Sequence, residues 1–123
     1  MSARGWKERA WKLAFYAALL AATWGLLTPS PPAIGEGIPF VDKLQHVVLF
    51  AALALLGTRA YADRPRWGIV AALVFYGACI EIAQLRSGRS FELLDILADA
   101  VGALAVYLAP RRSVVTTARD APR

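Results

Sequence analysis

One cysteine, one histidine and one methionine occur in 123 residues, and only 19% of the side chains are charged. Each scarcity excludes something. Cys79 has no partner for an internal disulfide, and its apolar setting leaves the redox compartment unread. A lone His46 among scattered carboxylates is not a metal-ligand pattern, so no metal is expected. No local motif prepares a Ser or Cys nucleophile, no internal repeat is visible, and nothing calls for a cofactor. Soluble domains carry about 25% charged residues. The deficit excludes a disordered tail and a soluble enzyme with its own substrate domain. What fills the chain is apolar: 58% hydrophobic residues and a mean hydropathy of +0.46. A chain this short cannot hide that excess in a core.

Four apolar stretches account for it, at about 13–27, 43–62, 67–85 and 91–109. The first is apolar on every face, unlike a half-solvated surface helix. The clean parts of the others are shorter than the roughly 20 residues a membrane helix needs, but each approaches that length with its polar end. Breakers separate them: Thr28-Pro29-Ser30-Pro31-Pro32, Asp63-Arg64-Pro65, Ser87-Gly88 and Pro110. The first stretch has the basic flank of a signal peptide but no small-x-small cleavage site, so it reads as an uncleaved span. The expectation is an all-α, four-transmembrane-helix up-and-down bundle over residues 1–110, followed by a polar cytoplasmic tail at 111–123.

The net charge of +5 points to nucleic acid or a membrane surface, and its distribution decides between them. Arg4, Lys7, Arg9 and Lys12 precede the first span; Arg59, Arg64 and Arg66 lie between the second and third; Arg111, Arg112, Arg119 and Arg123 follow the fourth. The intervening loops hold only Lys43, Arg86 and Arg89. By the positive-inside rule both termini are expected in the cytoplasm. Trp6, Trp11, Tyr61, Trp67 and Tyr107 fall near that inner boundary and Trp24 near the outer one. The basic residues form no single footprint, so no nucleic acid is expected; membrane lipids are.

The polar residues then converge on the outer side. Asp42, Lys43, Gln45 and His46 open the second span, Glu81 and Gln84 close the third, Arg86 and Arg89 lie in the loop, and Glu92, Asp95 and Asp99 begin the fourth. Six of the nine carboxylates fall there, counting Glu36. Ionisable groups within spans face a bundle interior or a wet cavity and are functional candidates by default. Helical spacing puts Asp42 with His46, Glu81 with Gln84, and Asp95 with Asp99 and Gly102 on common faces. Gly102 also offers a close backbone approach. Plainer roles stay open. Asp42 can cap its helix with Gln45, Ser90 can cap the fourth, Glu92 suits its dipole, Arg86 can snorkel, and the cluster can be a salt-bridge network locking the bundle. Cys79 reads as packing material.

The chain resembles the VanZ-like family of small integral membrane proteins. Asp42-Lys43-Leu44-Gln45-His46 resembles its D-K-x-x-H, Glu81-Ile82-Ala83-Gln84 its E-x-x-Q, and Gly88 to Asp95 its G-R-x-x-x-x-x-D, with Asp99 and Gly102 at the following N-x-x-G. Asp99 departs from the Asn usual there. The resemblance implies a four-span architecture and a cell-envelope setting. The founding member is associated with resistance to the glycopeptide teicoplanin, and the family supplies no reaction.

Three classes of function follow. A binding protein would hold a lipid head group or lipid-linked cell-wall precursor in an outward pocket of Asp42, Lys43, His46, Glu81, Gln84, Arg89, Asp95 and Asp99, with Arg89 and Lys43 on phosphate. An intramembrane enzyme would use His46, Glu81 and Asp95 on a lipid-linked substrate. A structural or accessory protein is the third reading, and a homo-oligomer stays open.

Overall fold

Four helices build the chain: α1 (Ala3–Leu27), α2 (Val41–Ala60), α3 (Arg66–Arg86) and α4 (Leu93–Leu108). The computed structural model describes residues 2–28, 40–86 and 93–109. Arg89, Ser90, Glu92 and the tail at 111–123 lie outside them.

α1 begins ten residues before the apolar stretch. The Ser2 hydroxyl accepts the Gly5 N–H at 3.2 Å and caps a basic first segment, which stays exposed. That segment contains mostly good helix formers, so the helix runs on beyond the apolar boundary. α1 ends where Thr28, extended ahead of Pro29, leaves helical geometry. α2 and α3 are separated at Tyr61–Pro65, where the Tyr61 N–H closes on Gly57 O at 3.0 Å. Asp42 does not cap α2: the N-cap is Phe40, in the left-handed region at φ 64°, without a side-chain bond. Asp42 sits within the first turn instead, where the helix dipole favours a carboxylate.

Side-chain pairings fix the directions. Arg59 lies over the Trp11 ring, and Phe15 packs on Gly57, so α1 and α2 are antiparallel. Thr23 meets Tyr76, and Leu26 meets Gln84, so α1 and α3 are parallel. Lys43 meets Asp95, and His46 meets Asp99, so α2 and α4 are parallel. Arg66 Nη1 donates to Ala109 O at 3.0 Å, and Gly77 faces Asp99, so α3 and α4 are antiparallel. Up-and-down alternation is the result. The order around the bundle is α1, α2, α4, α3, and α4 packs most extensively on α2. Among the described residues α1 and α4 do not meet.

α1, α2 and α3 are long and apolar enough to cross a membrane. α4 is described over 16 residues, roughly 24 Å at about 1.5 Å per residue, against a hydrocarbon core of about 30 Å. Leu13, Leu20, Val48, Phe75, Ile82, Leu97 and Val101 point outward, whereas His46, Glu81, Gln84, Asp95 and Asp99 are buried. This inversion of soluble-protein polarity suits a lipid surround. Cys79 is exposed on that outer surface rather than packed inside. The apolar core of Phe15, Phe50, Leu53, Ala54, Leu73 and Ala103 lies along the middle.

Candidate functional site

The buried polar side chains gather at the end of the bundle where α2 and α4 begin and α3 finishes. His46, Glu81 and Asp99 lie one to two turns from those ends, about 8 Å in by helix rise. Phe50, one turn past His46, is fully buried and closes the floor.

α2 and α4 bring cations and carboxylates together along one parallel seam. Lys43 Nζ donates to Asp95 Oδ1 at 2.6 Å and to Asp42 Oδ2 at 2.6 Å. One turn deeper, His46 Nδ1 and Asp99 Oδ1 are 2.7 Å apart. An ionised carboxylate can only accept, so Nδ1 donates and the acceptor nitrogen is Nε2. Nε2 faces Asp95 Oδ2 at 3.7 Å, beyond a hydrogen bond. Glu81, with no exposed surface, enters the same end of the bundle from α3.

The spacing argument holds for α4: Asp95, Asp99 and Gly102 all face inward. On α2 it needs correction. Asp42 does not share the buried face of His46; its side chain is 63% exposed, while that of Lys43 is 18% exposed. Lys43, three residues before His46, supplies the seam instead. On α3, Glu81 and Gln84 are both buried, but Gln84 turns toward α1 and donates to Leu26 O at 2.7 Å. Arg86 is exposed at the end of α3. Among the described residues no three side chains are grouped to hold a metal ion.

Gly77 has a role that the motif reading missed. A Cβ there would lie 2.7 Å from Asp99 Oδ2 and 3.3 Å from the Phe50 ring. The missing side chain is the niche for the Asp99 carboxylate. A glycine in the middle of the apolar run from Ile69 to Ile80 was the available signal. Gly77→Ala should push Asp99 away from His46 and destabilise the protein by about 1–3 kcal/mol, read as a lower unfolding midpoint in mixed micelles.

Thr23 and Tyr76 were also missed. Thr23 Oγ1 donates to Leu19 O at 2.7 Å, so Tyr76 is the donor in the 2.6 Å bond between the two hydroxyls. That bond ties α1 to α3 below the cluster.

Four helices with an apolar exterior and buried ionisable groups define a multi-span membrane protein. Its ionisable interior is the feature to be explained. The chain belongs to the VanZ/LLP1 family, whose profile matches residues 4–113. No curated protein matches it significantly, and no solved structure does.

Proposed function

We propose that the polar end of the bundle is an outward-facing pocket for the head group of a lipid or a lipid-linked cell-wall precursor. The supporting observation is the placement of Lys43, His46, Glu81, Asp95 and Asp99 from three helices at one end of the bundle, within about two turns. Buried ion pairs are poor locking devices, since well-packed apolar residues stabilise as well or better. So many ionisable groups inside one membrane bundle therefore fit recognition better than scaffolding. Asp42 and Asp95 already hold Lys43, which leaves Arg89 as the principal cation for phosphate and the carboxylates for an ammonium group. The positive-inside rule applied to Lys and Arg supports reading both termini as cytoplasmic and this end as outward.

A second reading, an intramembrane enzyme on a lipid-linked substrate, is favoured by one contact. Asp99 holds Nδ1 of His46 and leaves Nε2 as the basic nitrogen, the arrangement a general base needs.

Native mass spectrometry of the detergent-purified protein, offered a polyprenyl-pyrophosphate precursor analogue, tests both. Wild type should retain the probe, and Arg89→Ala should lose roughly tenfold or more in occupancy while remaining folded. A binder keeps the probe in His46→Gln; an enzyme converts it, and His46→Gln abolishes that conversion. Equal, unselective retention by wild type and Arg89→Ala rejects the pocket and returns the cluster to a structural role. The link to glycopeptide resistance predicts lower teicoplanin susceptibility in cells producing wild type than in cells producing Arg89→Ala. Equal susceptibility rejects it.

A further inference from the structure

The opposite end of the bundle holds a second feature, unrelated to the polar cluster. α1 and α3 are parallel neighbours that pack lightly on each other. Between them opens an apolar cavity of about 280 Å³. Phe15 and Tyr16 form one wall, and Ile69, Ala72 and Tyr76 the other. Tyr61, just past α2, closes the end. Its ring stands edge-on to Phe15, 6.4 Å between centroids, and its hydroxyl is bonded to that of Tyr16. The mouth is thus built from fixed aromatic groups.

Two cations rest on aromatic rings at this end, one on Tyr61 at the mouth and one on Trp11 one turn before Phe15, outside the groove lining. Lys12 Nζ lies 5.0 Å from the Tyr61 ring centroid, and the Arg59 guanidinium lies 5.0 Å from that of Trp11. Among the described residues neither forms an ion pair with a carboxylate, although Glu8 is one turn from Lys12 and Asp63 is in the adjoining turn. A cation resting on a ring face still has N–H donors turned away from the ring that oxygen acceptors can use. An apolar slot under paired cations, at the level of a Trp and Tyr belt, matches one chemistry: an apolar chain joined to an anionic head.

We propose that this groove seats an acyl chain of an anionic phospholipid from the leaflet at the N-terminal end of α1, with the lipid phosphate on Lys12 and Arg59. The two cations select the head group, and the α1–α3 gap takes the chain. Tyr16 and Tyr61 hold the mouth at a fixed width. The site lies at the other end of the bundle from the Lys43–Asp95 and His46–Asp99 pairs, so loss of lipid selectivity here and loss of the probe in Arg89→Ala are independent outcomes.

The test is native mass spectrometry of the full chain titrated with phosphatidylglycerol or with phosphatidylcholine of the same acyl chains. Wild type should prefer phosphatidylglycerol. Lys12→Gln with Arg59→Gln should weaken phosphatidylglycerol retention roughly fivefold per cation removed and phosphatidylcholine, whose ammonium offsets its phosphate, by less, so that the preference disappears. Ala72→Trp should fill the groove and reduce retention of both lipids, with the melting temperature as the folding control. Ala72→Leu serves the same purpose if the tryptophan variant does not fold. Equal retention of the two lipids by wild type overturns the proposal. So does a preference that survives the double substitution, or a groove-filling variant that binds as wild type does. A dimer peak that Ala72→Trp or Ala72→Leu removes would assign the groove to a second copy of this chain instead.

Discussion

Gly102→Leu should separate α2 from α4 and remove more than roughly 3 kcal/mol of stability, beyond the usual range for overpacking. Even the Cβ of an alanine would stand 2.2 Å from Val47 O and 3.0 Å from Ala51 N. Those atoms are backbone, so no rotamer change relieves the clash and a whole helix must move. The seam above would open with it, because Lys43–Asp95 and His46–Asp99 join the same two helices within two turns. Small residues matter more here than in water, since lipid surrounding the helices removes most of the hydrophobic drive and leaves packing to hold them. Unfolding in mixed micelles, followed by hydrogen exchange at α2 and α4 amides, gives the measurement. An unchanged midpoint would mean that the two backbones are not in contact.

Asp99→Ala should also act strongly, lowering stability by about 3–5 kcal/mol, because it strands His46 in a buried position. Asp99→Asn should behave differently. It keeps an oxygen for His46 Nδ1 and loses only charge, so the loss should stay near 1 kcal/mol. The double substitution His46→Leu with Asp99→Leu should recover much of what Asp99→Ala removes, since two apolar groups then replace a broken pair. If Asp99→Ala unfolds at the wild-type midpoint, His46 does not depend on Asp99 for its burial. These three variants also separate fold from function. Asp99→Asn retains the bundle while changing the charge at the polar end, so any change in ligand retention there reflects recognition rather than collapse.

The helices and the polar end were legible because both signals are linear. Apolar runs and breakers marked the helices, and a period near 3.6 put Asp95, Asp99 and Gly102 on one face. The order around the bundle was not legible. Nothing in the spacing of α2 says that it packs beside α4 more closely than beside α3. Asp42 was misplaced for a related reason. Four residues from His46, it shares its face in an ideal helix, but α4 approaches from the side of Lys43, which only the partner's position reveals. The start of α1 was hidden because hydropathy marks where lipid ends and leaves open where the helix ends. Gly77 was hidden because its role belongs to a carboxylate on another helix.

The pairing of α2 with α4 has a consequence for how the chain is made. His46 and Asp99 are 53 residues apart, with all of α3 between them. During synthesis α2 enters the membrane first, and its histidine and lysine wait through the insertion of another complete helix for the carboxylates that satisfy them. A product ending after α3 would hold His46 without Asp99 and Lys43 with Asp42 but without Asp95, and its three helices would lack the most extensive contact of the finished bundle. The last helix therefore completes the polar seam: the Lys43–Asp95 and His46–Asp99 pairs and the most extensive helix contact all form only when α4 arrives.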